Sequence, residues 1–142
     1  EVGMGVFGIN GVVGTIHSVN EEYATVKTCL TENINIAAMI EESGEHGFLK
    51  WNGKSARQGS LTGISNDRKV KKWSHVITRG SAGTFPRGMP IGKVQKTAPI
   101  EGKPLWDVTV LFSEDYTRIQ RVFVIKNLLL DKQKELEDKL PK

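Results

Sequence analysis

The sequence predicts an all-β protein made of two small barrel-like subdomains, each of six strands, with one inserted in the other and a short C-terminal helix. In the 142-residue chain, apolar and polar residues alternate with a period of two in several segments. Glycine and proline, which occur 15 and 5 times, separate these segments. Sets of short strands of this kind remove their exposed edges by closing into barrels.

The first half of the chain contains a series of short strand patterns. Residues 1–9 are apolar and glycine-rich up to an Asn10-Gly11 pair, which is typical of a tight turn. β-Branched residues are frequent in the alternating segments that follow, and they favour strand over helix. The Asn52-Gly53 pair predicts a hairpin. The further predicted strands of this half cover residues 12–17, 24–30, 34–40, 48–51 and 61–64.

The second half follows a polar, basic connection at residues 66–72. Its predicted strands cover residues 73–78, 91–95, 106–112 and 119–125. In the third of these, alternate positions form a purely apolar face that we expect to lie over a core, namely Trp106, Val108, Val110 and Phe112.

A faint internal repeat suggests how the strands are grouped. In each half, a glycine-bounded strand is followed by two alternating strands, which is what two similar β units would produce. We therefore predict that residues 10–67 form a subdomain inserted into a second one, which comprises residues 1–9 and 68–126. Residues 127–142 carry leucines at helical spacing and are predicted to form a C-terminal helical tail.

The most constrained stretch lies between His75 and Val94. Two short apolar pieces flank a loop in which glycines permit positive φ angles and prolines fix φ, so the backbone has little freedom. The pattern predicts a strand, a rigid loop and a second strand. The residues that define the loop are Gly80, Gly83, Pro86, Gly88 and Pro90.

Composition and motif spacing argue against most catalytic and cofactor sites. The three histidines, His17, His46 and His75, have no neighbouring ligands at metal spacing, and Cys29 is the single cysteine. Ser81 lies in a glycine-rich turn, but no Gly-Asp-Ser-Gly motif accompanies it. The glycine-rich loop lacks the Gly-Lys-Ser/Thr of a phosphate-binding loop. We therefore expect no catalytic residue, no metal and no cofactor.

Aromatic and basic side chains leave two alternatives open. They could form a stacking surface like that of an OB-fold, which would bind nucleic acid or another anionic polymer. The alternative, which we favour, is that Trp51 and Trp73 fill two cores and Phe85 closes a barrel end. Any that are exposed better fit a protein interface, because no basic stripe accompanies them. The set comprises Phe48, Lys50, Trp51, Trp73, Phe85, Arg87 and Tyr116.

Four ordered segments resemble the rod shape-determining protein MreC family. One is the stretch from His75 to Val94 described above, and the other three are residues 10–19, 42–49 and 115–124. Together the resemblance covers residues 6–126. Two positions depart from the family pattern: Ser74-His75 stands for Gly-Asp, and Arg79 stands for Ser. The structural motif that carries the resemblance is Gly11, Gly14, Thr78, Gly80, Gly83, Phe85, Pro86, Gly88, Pro90, Gly92 and Val94.

The resemblance implies a non-catalytic periplasmic scaffold that maintains cell shape. Such a protein self-associates and binds a class B penicillin-binding protein and other proteins of the cell-wall elongation machinery, with no nucleic acid. The chain begins at Glu1 and contains no run of about 20 apolar residues. The family implies that a transmembrane helix and a coiled coil precede it and hold it at the periplasmic face of the inner membrane. Our predicted contact residues are Phe48, Trp51, Phe85, Arg87, Tyr116, Leu129 and Leu136.

Overall fold

The computed structural model describes residues 3–31, 34–80, 85–119 and 121–125. All the regular structure in these residues is β, and every neighbouring pair of strands is antiparallel. The strands are β1 (Gly5–Gly8), β2 (Gly11–Val19), β3 (Ala24–Thr28), β4 (Ile36–Ile40), β5 (His46–Trp51), β6 (Gln58–Thr62), β7 (His75–Thr78), β8 (Pro90–Pro99), β9 (Trp106–Phe112) and β10 (Phe123–Val124).

Six of these strands close into a barrel in the order β4-β5-β6-β9-β8-β7. In a regular strand, alternate residues point to the same face because the side-chain period is two. In β4 the inward residues are Ile36, Ala38 and Ile40, and all three are buried. The core also contains, from the other barrel strands, Leu49, Leu61, Val76, Ile91, Val94, Val108, Val110 and Phe112.

The remaining strands form a four-stranded sheet in the order β10-β1-β2-β3. One apolar cluster, centred on Val6, Val13 and Ile16, belongs to this sheet alone. Val12 lies next to Val13 and therefore on the other face of β2, and it packs into the barrel's cluster together with Cys29. The sheet thus contributes side chains to the barrel core.

The observed pairing groups the strands differently from the predicted subdomains. β4, β5 and β6 lie within residues 10–67, but they close a barrel with β7, β8 and β9, through the β4–β7 and β6–β9 pairs, rather than with β2 and β3. The second unit has four strands among the described residues, not six. Alternation along a strand identifies its two faces but does not identify its partner. Here the partner of β4 is fixed by contacts such as Ile40 opposite Val76, which are distant in sequence.

Individual strand predictions were closer to the structure than their grouping. β8 is longer than expected and reaches Pro99, whereas the described residues of the predicted strand at 119–125 contain only the two-residue β10. The Asn52-Gly53 pair does lie in the β5–β6 hairpin, but that connection spans residues 52–57. The predicted tail, residues 127–142, lies outside the described residues. Within those that are described, no helix has the length and apolar character needed to cross a membrane.

Candidate interaction surface

The β1–β2 turn packs closely against the barrel, and we call this region of contact the junction. A Cβ atom added at Gly11 would lie 2.5 Å from the Pro90 carbonyl oxygen, so only glycine permits this approach. The neighbouring Asn10 N–H donates a hydrogen bond of 3.0 Å to the buried carboxylate of Glu114. Two positions of the predicted structural motif, Gly11 and Pro90, therefore meet where the sheet contacts the barrel.

Tyr116 reinforces this junction. Its hydroxyl donates a hydrogen bond of 2.9 Å to the carbonyl oxygen of Val12, and its ring packs edge-on against Phe112 at 5.1 Å between centroids. Burial is also the main reason that the pKa of the Tyr116 hydroxyl is raised. Burial likewise raises the pKa of the adjacent Cys29 thiol to about 12, although a hydrogen bond with Tyr116 opposes the shift. Tyr116 thus acts as a structural link in the described fold.

Tyr116→Phe is expected to lower the free energy of unfolding by about 1.5 kcal/mol, because it removes a hydrogen bond to the carbonyl of a buried residue, Val12. Urea unfolding followed by fluorescence measures the change. Tyr23→Phe is the matched control, since Tyr23 is 71% exposed and should show no loss. Equal stability of Tyr116→Phe and the unaltered chain would contradict the role given to this hydroxyl.

Thr78 organises the glycine- and proline-rich loop. Its buried hydroxyl donates to the Pro86 carbonyl oxygen at 2.6 Å and accepts from the Met89 N–H at 2.9 Å. The Gly88 N–H donates to the Thr78 carbonyl oxygen at 3.0 Å. Gly80 and Gly88 both have positive φ angles, of 85° and 101°. Thr78 therefore joins the two described ends of this loop at the barrel, while Ser81 and Gly83 lie outside the described residues.

The predicted contact residues that the structure describes differ widely in exposure. Phe48 is half exposed and Arg87 is exposed. Trp51 is partly buried against the barrel core, and Phe85 is buried in that core. Tyr116 is hydrogen-bonded inside the junction, and Leu129 and Leu136 lie outside the described residues. The aromatic side chains proposed for an OB-like stacking surface therefore differ in exposure: Phe48 and Trp73 are half exposed, and Phe85 is buried.

Trp73 corrects one prediction from the sequence. We expected this side chain to fill a core, yet it is 50% exposed. It also has a φ of 70°, which a non-glycine residue rarely adopts. The reason is its position in the turn that enters β7, where the neighbouring Ser74 is buried instead. Phe85, by contrast, is buried in the barrel cluster as the favoured alternative predicted.

Several exposed apolar side chains were missed by sequence reasoning. Ile9, at the tip of the β1–β2 turn, is 83% exposed, and Tyr23 lies in the β2–β3 turn. Val122, Phe123 and Val124 are exposed along the edge of the sheet, where Phe123 stacks on Phe7. No periodicity marks these positions, because their exposure depends on which strand lies beside them. They add apolar surface on which a protein partner could bind.

Across the part of the chain that the structure describes, no group of three or more His, Cys, Asp or Glu side chains is placed to hold a metal ion. His17, His46 and His75 are all exposed. Asp115 bonds to Thr117 in its own turn, and these hydrogen bonds lower the pKa of its carboxyl group.

Comparisons with known proteins give a consistent result. No curated protein matches the sequence. The structure is similar to the crystal structure of MreC from Pseudomonas aeruginosa, with a TM-score of 0.81, 19% identity, and coverage of 89% of this chain and 81% of that one. MreC from Listeria monocytogenes gives a TM-score of 0.83 and 22% identity, with coverage of 89% and 62%.

A third similar structure is described as a complex between penicillin-binding protein PBP2 and MreC from Helicobacter pylori. The TM-score is 0.69 and the identity 18%, with coverage of 85% of this chain and 75% of that one. Identities at this level show a shared fold. The family model described as rod shape-determining protein MreC, barrel core, matches residues 1–126. Because this match covers most of the sequence, the chain belongs to the rod shape-determining protein MreC family.

Proposed function

We propose that this chain is a non-catalytic scaffold on the periplasmic face of the bacterial inner membrane, where it binds a class B penicillin-binding protein of the cell-wall elongation machinery. The family match over residues 1–126 carries this proposal. The similar Helicobacter pylori structure, a complex of PBP2 and MreC, supports the choice of partner. Such a scaffold would act by binding one conformation of the enzyme more tightly than another.

The geometry suits a binding role. The barrel closes on itself, and the junction at Gly11, Glu114 and Tyr116 fixes the sheet against it. Rigid surfaces lose little conformational entropy when they bind, so affinity is not spent on ordering the scaffold. Of the contact residues predicted from the sequence, Phe48 and Arg87 are exposed, and we propose that they contact the partner. We propose that Leu129 and Leu136 serve self-association.

The test is sedimentation velocity of this chain, alone and mixed with the periplasmic part of a class B penicillin-binding protein from the same cell. We expect a complex that survives moderate salt. Phe48→Ala should weaken it about tenfold, because half-exposed aromatic side chains are typical interface anchors. Lys50→Ala, two residues along the same exposed face of β5, is the matched control and should leave affinity nearly unchanged. Absence of any complex would contradict the proposed function.

A further inference from the structure

The backbone at Trp73 is unusual. Among the residues that the structure describes, Trp73 is the one non-glycine residue with a positive φ, at 70°. The Trp73 N–H donates to the Val94 carbonyl oxygen at 2.6 Å, and the Ser74 N–H donates to the Lys71 carbonyl oxygen at 3.2 Å. These bonds hold the turn closed. Glycine would adopt this conformation without the steric cost that a side chain incurs.

Fold stability does not account for a tryptophan at this position. Half of the residue's surface is exposed, so the indole gives up much of the burial that normally makes tryptophan stabilising. Its polar neighbour is the Lys72 ammonium, whose nitrogen lies 5.1 Å from the ring centroid, within the range of a cation–π contact. A strained backbone that displays a large aromatic side chain is a reason to look for function.

A recess of about 190 Å³ lies next to this turn. Ile40 and Val70 give it an apolar part, and Lys69 and Lys71 border it. The carboxylate of Glu42, which also lines the recess, accepts the His75 N–H at 3.2 Å and 3.3 Å. The exposed indole and the adjacent recess give this surface a relief that a protein partner can match by shape complementarity.

Charge decides which class of partner fits. Lys69, Lys71 and Lys72 are exposed and form no ion pair among the described residues, but Glu41 and Glu42 lie at the same end of the barrel. This end of the barrel therefore carries both signs of charge rather than a purely basic patch. An anionic membrane or polymer attracts a protein through net charge, whereas a protein partner can place single carboxylates opposite single lysines. The arrangement favours a protein.

We propose that Trp73, Lys71, Lys72 and the adjacent recess form a docking surface for a protein segment in which carboxylates border an apolar pocket. The inference rests on the proposed function, and it assigns this surface to the class B penicillin-binding protein. Trp73 is the central anchor, and the two lysines pair with carboxylates at the rim of the contact. The strained turn presents this half-exposed indole to the partner.

Two substitutions separate binding from folding. Trp73→Gly and Trp73→Ala both remove the indole, so each should weaken binding of the periplasmic penicillin-binding protein at least about tenfold, measured by calorimetric titration. Only glycine relieves the strain, so the urea midpoint of Trp73→Gly should exceed that of Trp73→Ala by about 0.5 M. The control is Tyr23→Ala, which removes another exposed aromatic ring and should change affinity by less than about twofold.

Each alternative result has a defined meaning. Unchanged affinity of Trp73→Gly, with the complex intact, contradicts this docking surface and leaves the proposed function standing. Absence of a complex with the unaltered chain contradicts the proposed function and this inference with it. Binding of the unaltered chain to phosphatidylglycerol vesicles, lost in Trp73→Gly, would assign the surface to a membrane and overturn the protein partner. Lys71→Glu with Lys72→Glu should weaken the protein complex and leave the urea midpoint unchanged.

Discussion

Gly92→Ala is expected to lower the free energy of unfolding by about 3 kcal/mol, the upper part of the usual range for overpacking a core. Gly92 lies in β8, opposite Val76 of β7 on one side and Phe112 of β9 on the other. A Cβ atom at this position would lie 2.1 Å from the Leu111 carbonyl oxygen. Because the obstacle is the backbone of a barrel strand, no side-chain rotation relieves it. The strands must move apart where the barrel closes.

Gly44→Ala is the matched control for this prediction. Gly44 has a φ of 77°, but an added Cβ would meet nothing within 4 Å. Its substitution should therefore cost only the left-handed strain of an L-residue, about 1 kcal/mol. Urea unfolding of both variants gives the comparison. Equal losses of stability in the two variants would show that the close approach of the strands does not restrict position 92. A loss of cooperative unfolding in Gly92→Ala, but not in Gly44→Ala, would agree with a damaged barrel.

Close approaches of this kind also show how far sequence reasoning reaches. Glycine in a strand signals a bulge or a nearby backbone, and Gly11, Gly14 and Gly92 were placed in the structural motif from the sequence. The structure supplies the neighbour that each glycine accommodates, such as the Lys27 carbonyl oxygen at 2.0 Å from an added Cβ at Gly14. That neighbour is distant in sequence or lies on another strand, so the local sequence pattern does not predict it.

The grouping of strands and the exposure of single aromatic residues were harder to predict for the same reason. The alternation of Ile36, Ala38 and Ile40 correctly gives an inward face, but it does not specify that β4 pairs with β7. Trp73 was expected in a core because tryptophan is usually well buried. Its backbone conformation, set by the turn into β7, turns half of the residue to solvent.

The stability of the fold is expected to fall between pH 9 and pH 12 because of Cys29. Its side chain is 1% exposed, and burial raises the pKa of the thiol from an ordinary 9.0 to about 12. Above pH 9.0 the unfolded chain loses this proton while the folded chain retains it, so rising pH favours unfolding. Below pH 9.0 the thiol is protonated in both the folded and the unfolded chain, so its full contribution to stability is present. About 1.4 kcal/mol should be lost at pH 10, since one pKa unit corresponds to that free energy.

Cys29→Ala isolates the thiol from other groups. The pKa of Tyr116 is also raised by burial, but an ordinary tyrosine titrates at 10.0, so its effect belongs mainly to higher pH. Urea unfolding under reducing conditions at pH 8, 9 and 10 therefore reports chiefly on Cys29. The variant should be less stable at pH 8, because a small cavity replaces the sulfur atom, and its stability should change little up to pH 10. If the stability of both proteins declined equally between pH 8 and pH 10, the effect could not be assigned to Cys29, because ionisation of its thiol would then not oppose folding. A decline confined to the unaltered chain would establish that the junction between sheet and barrel requires a neutral thiol beside Tyr116.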